Sequence, residues 1–333
     1  MPILNEIRPS AALPGGDVEL LGADLGPELT AEVAGVSALV TLARSTRAMI
    51  RIPEGVLPGN VTVTHDGVES NPLHLRVGVA MAENLHPVAN PAVDAKGNVY
   101  ATLSGSRGQA TPVSIFRIAP APEGVVHELR PFVREILNPT GLAFGPDKFL
   151  YVSSRAEGTV YRIGLGGDVH TYAEGLGVAT GIAFDADGDL YVGDRSGTIF
   201  KIRHARGPAP QETFVFATLE PSISAYHLAF DSKGTLYVTG PTTASSQAIH
   251  AIDRDGSSTI FYRGLGRAQG LAFDADDNLY VAASLAGDRG IVKITPEGSA
   301  SLVVAGSNLV GLCFLAGGRA ALATRDAVYE IQL

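Results

Sequence analysis

Arginine and aspartate recur in this chain just after short apolar runs. The segments are Ser153-Ser154-Arg155, Gly193-Asp194-Arg195, Asp288-Arg289 and Thr324-Arg325-Asp326. Arg155, Asp194, Arg195 and Arg325 predict a charged rim around a cleft. Guanidinium groups hold carboxylates through paired hydrogen bonds, so such a rim suits a carboxylate or a sugar. The competing reading is that these side chains pair with one another in solvent, where an ion pair contributes little. His227, next to Tyr226, is a candidate general base. That role requires a partner and a substrate within hydrogen-bond reach. The alternative is a structural histidine among apolar neighbours. Spacing suggests no Ser-His-Asp set, although triad members can lie far apart in sequence.

Two aspartate-rich segments, Asp185-Ala186-Asp187-Gly188-Asp189 and Asp274-Ala275-Asp276-Asp277-Asn278, have the look of calcium loops. Neither carries the glutamate that an EF-hand needs at its twelfth position. Both fall between two apolar runs, where Asp-Gly chemistry serves a hairpin turn directly. Turn chemistry is the expectation, with Ca2+ as the weaker reading and no other cofactor expected.

The elements that position these residues repeat. The clearest copy is Thr180-Gly181-Ile182-Ala183-Phe184-Asp185, a turn, then Leu190-Tyr191-Val192. Further copies begin at Thr140-Gly141-Leu142-Ala143-Phe144, Tyr226-His227-Leu228-Ala229-Phe230 and Gln269-Gly270-Leu271-Ala272-Phe273. A degenerate first copy starts at Asn90-Pro91-Ala92-Val93-Asp94, and a degenerate last copy at Val310-Gly311-Leu312-Cys313-Phe314. Tyr100, Tyr151, Tyr191, Tyr237, Tyr280 and Leu322 mark the period, in steps of 51, 40, 46, 43 and 42 residues. A repeat of that length made of strands, without helical periodicity, predicts propeller blades. Alternating third strands such as Thr159–Ile163 and Thr198–Ile202 follow, and most copies add a fourth. The sixth copy lacks one because the chain ends. The orphan strand at 77–83 is expected to complete it and so remove an exposed edge.

These blades resemble the NHL-repeat and gluconolactonase-like propellers across roughly residues 78–333. The resemblance implies that the loop entering each inner strand and the loop after each second strand open on one face, beside a central channel. The residue before each inner-strand glycine then faces that mouth: Ala89, Thr140, Thr180, Tyr226, Gln269 and Val310. Gluconolactonase-like hydrolases hold a divalent metal there with carboxylates and an asparagine. By the resemblance, their first-blade glutamate falls on Ala89, and their other ligands on residues such as Thr140, Thr180 and Gln269. A hard cation needs anionic oxygens, so no metal site is expected at these positions.

Residues 1–76 do not share the repeat. Short alternating segments such as Asp17–Leu21, Met49–Ile52 and Val61–Val63, set between Gly and Pro, predict a sandwich. This segment is similar to the IPT/TIG immunoglobulin-like family. The expected organisation is therefore all-β: a small immunoglobulin-like sandwich over 1–76, then a six-bladed propeller over 77–333. The join near Leu73–Gly78 is expected to be short.

Composition agrees with many strands and turns. Gly accounts for 39 of 333 residues, above the average share of about 7%, and Pro for 20. Hydrophobic residues make up 45% of the chain, which argues against disorder. The net charge of −9 argues against nucleic acid and anionic membranes as partners. The one short basic segment, Arg203–Arg206, does not change that. Cys313, the single cysteine, reads as a buried structural thiol and assigns no redox compartment. No apolar run reaches the ~18 residues of a membrane span, and the first residues lack a signal-peptide pattern. The expected location is the cytoplasm or, where a signal has been removed, the cell envelope or the exterior.

The function expected is a binding or scaffold protein that holds a small molecule or a protein partner at the propeller mouth. The alternative is a gluconolactonase-like hydrolase with a rearranged metal site, which rests on fold-level likeness.

Overall fold

The structure is a computed structural model and describes residues 1–122, 125–204, 210–243 and 247–333. Ala205 and Arg206 of the basic segment lie outside the described residues. Every regular element among the described residues is a strand, so no helix is long and apolar enough to cross a membrane.

From residue 79 onward the strands form six four-stranded antiparallel units, called blades below. Blade 3 shows the pattern: Ala179–Phe184, Leu190–Asp194, Thr198–His204 and Pro210–Thr218 pair in chain order. Blades 1, 2, 4 and 5 begin at Ala92–Val93, Pro139–Phe144, His227–Phe230 and Leu271–Phe273, and follow the same order. Blade 6 takes its outer strand from Val79–Glu83, which pairs antiparallel with Ala327–Gln332. The innermost strands stand side by side in chain order, and the last returns to the first. The result is a propeller-like ring.

Two features of the repeat explain why each copy folds alike. The aspartate after the inner strand ties its own turn. Asp185 Oδ1 accepts the backbone N–H groups of Asp187 and Asp189 at 3.0 and 2.9 Å. Asp94, Asp231 and Asp274 each accept the same two bonds in their turns. The second feature is aromatic. The tyrosine of each Leu-Tyr-Val strand stands edge-on to the phenylalanine of the next blade: Tyr100 on Phe144, Tyr151 on Phe184, Tyr191 on Phe230, Tyr237 on Phe273 and Tyr280 on Phe314. Edge-to-face pairs contribute beyond the apolar area they bury.

The seam between blades 6 and 1 lacks this pair, with Leu322 in the tyrosine place and Val93 in the phenylalanine place. Asn90 serves there instead. Its Nδ2 donates to Leu271 O at 2.8 Å, and its Oδ1 accepts Leu312 N–H at 3.1 Å, so one side chain ties blades 1, 5 and 6. Cys313 is half-buried rather than buried, packed against the cluster that includes Val310 and Ala321.

Residues 3–77 form two antiparallel ladders. One joins Ile3–Arg8, Asp17–Ala23, Arg47–Arg51 and Val36–Arg44. The other joins Val36–Arg44, Thr30–Val33, Gly59–His65 and Leu73–Val77. Leu20, Ile50, Val61 and Leu75 are buried in their common core. Leu73–Val77 is itself a strand, so the join to the blades is Gly78 alone. Leu13 N–H donates to Ala305 O at 2.8 Å, and Leu13 packs among Val304 and Leu309 of blades 5 and 6.

Candidate functional site

In three blades the second strand ends on a side chain that fixes the turn, followed by an arginine. Ser154 Oγ donates to Leu137 O at 2.6 Å and accepts Glu157 N–H at 3.2 Å. Asp194 Oδ1 accepts Val178 N–H at 2.7 Å, while the Ser196 hydroxyl donates to Oδ2. Thr324 Oγ1 donates to Asp326 Oδ1 at 2.9 Å and accepts Ala327 N–H at 3.1 Å. With the turn held, the next residue is placed: Arg155 N–H donates to Asn138 O and Arg195 N–H to Val178 O, both in the loops entering the inner strands. Arg155, Arg195 and Arg325 thereby reach one face of the ring.

Between them lies a cavity of about 260 Å3, lined by Arg155, Arg195, Arg267, Arg325, Thr180 and Gln269, among others. A second cavity of about 310 Å3 adjoins it through Arg267, Gln269 and Arg325, and adds Arg289. No Asp or Glu lines either cavity. Among the described residues none of these five arginines is in an ion pair. Arg155 is half-buried; its Nη2 donates to Gly105 O at 3.1 Å, but its buried Nε has no partner. Burial, then the charges of Arg107 and Arg195, holds its guanidinium below the usual arginine range. Arg195 Nε donates to Ser222 O at 3.3 Å.

Of the residues expected at the mouth, Arg155, Thr180, Arg195, Gln269, Val310 and Arg325 line the cavity. Thr180 and Gln269 also join blades. Thr180 Oγ1 donates to Gly193 O at 2.9 Å and accepts Tyr226 N–H at 3.1 Å. Gln269 Nε2 donates to Leu309 O at 3.0 Å. Thr140, Asp194, Tyr226 and His227 are buried and do not line the cavity. Thr140 Oγ1 is spent on Asn138 O at 3.2 Å, and the Tyr226 hydroxyl on Glu220 O. Burial, with Glu220 and Asp194 nearby, pushes the Tyr226 hydroxyl up to about 12. His227 is 3% exposed, and burial lowers its pKa to about 4, so its imidazole is neutral at pH 7. The mixed rim of arginine and aspartate is therefore a rim of arginines, with Asp194 turned into its own loop.

Arg267 and Arg289 complete the ring of charge, and Arg267 carries a signal of its own. Two residues before the mouth positions of blades 2 and 6, Asn138 and Asn308 adopt φ of +46° and +59°. Arg267 stands at the matching place in blade 5 with φ +45°. Asparagine tolerates that left-handed region, whereas arginine is strained there. That position lies outside the repeat signature, so spacing alone does not single it out.

The family model that matches describes the N-terminal part of strictosidine synthase-like proteins and covers residues 181–202, the clearest repeat copy. No curated protein matches the chain in sequence. Among solved structures, an auxiliary nutrient binding protein from Bacteroides thetaiotaomicron is similar over 99% of this chain and 97% of its own, at 11% identity and a TM-score of 0.57. A protein provisionally described as a gluconolactonase is similar over 77% of this chain and 92% of its own, at 18% identity and a TM-score of 0.60. Virginiamycin B lyase from Staphylococcus aureus covers 76% of this chain and 97% of its own, at 16% identity and a TM-score of 0.53. Together these likenesses support a β-propeller fold, and at such identities they show the fold alone.

The donors at the mouth do not fit a divalent cation. Guanidinium groups repel it, and no three His, Cys, Asp or Glu side chains among the described residues are grouped to hold one. In the two aspartate-rich turns, Asp185 and Asp274 already accept backbone N–H groups.

Proposed function

We propose that this chain is a binding module whose propeller mouth holds a small molecule or a protein partner. In this reading residues 77–333 form a six-bladed propeller of the gluconolactonase-like kind, closed through the strand at 79–83. Residues 1–76 form an IPT/TIG-type sandwich that serves as a binding or spacer unit. The observation that carries the proposal is the arginine-lined cavity between blades. Four arginines converge on it with Thr180, Gln269, His86 and Ser224, no Asp or Glu lines it, and no group of three metal-ligating side chains lies there among the described residues. His227 is buried and neutral outside the cavity, and the histidine that does line it, His86, has its Nδ1 engaged with Ser104 O. The nutrient-binding neighbour is consistent with this reading, and the hydrolase alternative draws on the fold likeness to the gluconolactonase-like and lyase structures.

Thermal unfolding in the presence of a panel of sugars, organic acids and lactones tests the proposal. A compound that raises the melting temperature of the native protein, but not that of Arg155→Gln, and is recovered unchanged after incubation supports it. Turnover of a lactone that EDTA abolishes would overturn it in favour of the hydrolase.

A further inference from the structure

The geometry points to a small molecule with at least two anionic oxygen groups, carboxylate or phosphate, as the ligand of the mouth. This rests on the proposed role of the mouth as the binding site. The chain as a whole is acidic, at −9, yet Arg155, Arg195, Arg267, Arg289 and Arg325 face two joined cavities that no carboxylate lines. A cleft lined by one sign of charge and walled by protein focuses its field and concentrates the opposite ion. Each guanidinium presents a planar fork that matches two oxygens of a carboxylate or phosphate.

Three further observations separate this from a chance cluster. The arginines come from five separate segments, the loops after the second strands of blades 2, 3 and 6, the loop entering blade 5 and the third strand of blade 5, so a single surface strand does not supply them. Ser154, Asp194 and Thr324 anchor the turns before three of them, which places the groups in advance of any ligand. Arg155 keeps a buried Nε without a partner, and Arg267 keeps a left-handed backbone that asparagine occupies elsewhere. Unmet buried donors and strained backbone are enriched at ligand sites, and here two of them fall on arginines that face the cavities. A neutral sugar would leave the repulsion among the five charges in place. A dianion or trianion spanning the two cavities would cancel it.

The test is titration calorimetry on the full chain with citrate, pyrophosphate, succinate, acetate and glucose. Affinity should rise with the number of anionic groups and fall as sodium chloride is raised. Arg155→Gln and Arg267→Gln should each weaken binding of the best anion about tenfold or more, the loss of one charged hydrogen-bonding partner. Stronger binding of citrate than pyrophosphate identifies a polycarboxylate, and the reverse a phosphate compound. Two substitutions guard against a folding defect, and each variant should unfold at a temperature no lower than the native protein. Binding of glucose as tight as citrate, lost in Arg155→Gln, overturns the anion inference while keeping the mouth as a binding site. Anion binding that survives both substitutions, or no binding of any anion at millimolar concentration, overturns the inference outright.

Discussion

Tyr151 of blade 2 stands edge-on to Phe184 of blade 3, with ring centroids 4.8 Å apart and planes at 74°. The same pair recurs at four other junctions. It explains why the tyrosine of one strand and the phenylalanine of another, some forty residues away, belong to one signature. Each is half of a contact that the next copy completes. If the pair holds the blades together, a double-mutant cycle on Tyr151→Leu and Phe184→Leu should show coupling of about 0.5–1.5 kcal/mol by urea unfolding. Additive single effects would mean that the rings merely fill space.

At the seam between blades 6 and 1 both halves of that contact are absent together, since Leu322 and Val93 replace them. Asn90 joins the blades by hydrogen bonds to Leu271 and Leu312 instead. Asn90→Ala would leave a half-buried carbonyl and N–H unpaired, at a cost of about 1–3 kcal/mol. The expected result is a lower urea midpoint. An unchanged midpoint would assign the seam to its apolar contacts alone.

The ring was legible in the sequence because its signature residues do local work that recurs. Asp185 ties its own turn, and Tyr191 meets Phe230. The degenerate copies were legible only through position, since Leu322 and Val93 keep the place but not the chemistry. The site was half legible. Arg155, Arg195 and Arg325 follow strand ends, where a side chain must leave the blade. Thr140 and Tyr226 occupy mouth positions but spend their polar atoms on neighbouring backbone, and spacing does not reveal where a hydroxyl bonds. Asp194 beside Arg195 suggested mixed charge, yet its carboxylate turns back to Val178 N–H.

His227 makes stability depend on pH. Burial lowers its pKa from the ordinary value near 6.5 to about 4. The unfolded chain therefore takes up a proton between about pH 6.5 and 4 that the folded chain refuses. Stability is unaffected by this group above pH 6.5, falls as pH drops towards 4, and is flat below that. The full loss is about 3 kcal/mol. His227→Gln should flatten this part of the profile in denaturant unfolding. If native protein and variant show the same slope between pH 6.5 and 4, His227 is not the group responsible.

Arg267 separates stability from binding. Its φ of +45° is one that Asn138 and Asn308 adopt in other blades, and arginine holds it at a cost. Arginine also adds a fourth positive charge to a cavity that already contains Arg155, Arg195 and Arg325. Both effects disfavour the folded protein without a ligand. Arg267→Asn should relieve them, raising stability by about 0.5–1 kcal/mol while weakening citrate or pyrophosphate binding. A residue kept for packing would behave in the opposite way: its loss would lower the melting temperature and leave anion binding intact. Thermal unfolding of the variant with and without the anion reads both quantities in one experiment. A gain in stability together with a smaller shift on adding the anion would show that Arg267 is held in a strained backbone for the sake of the charge it carries.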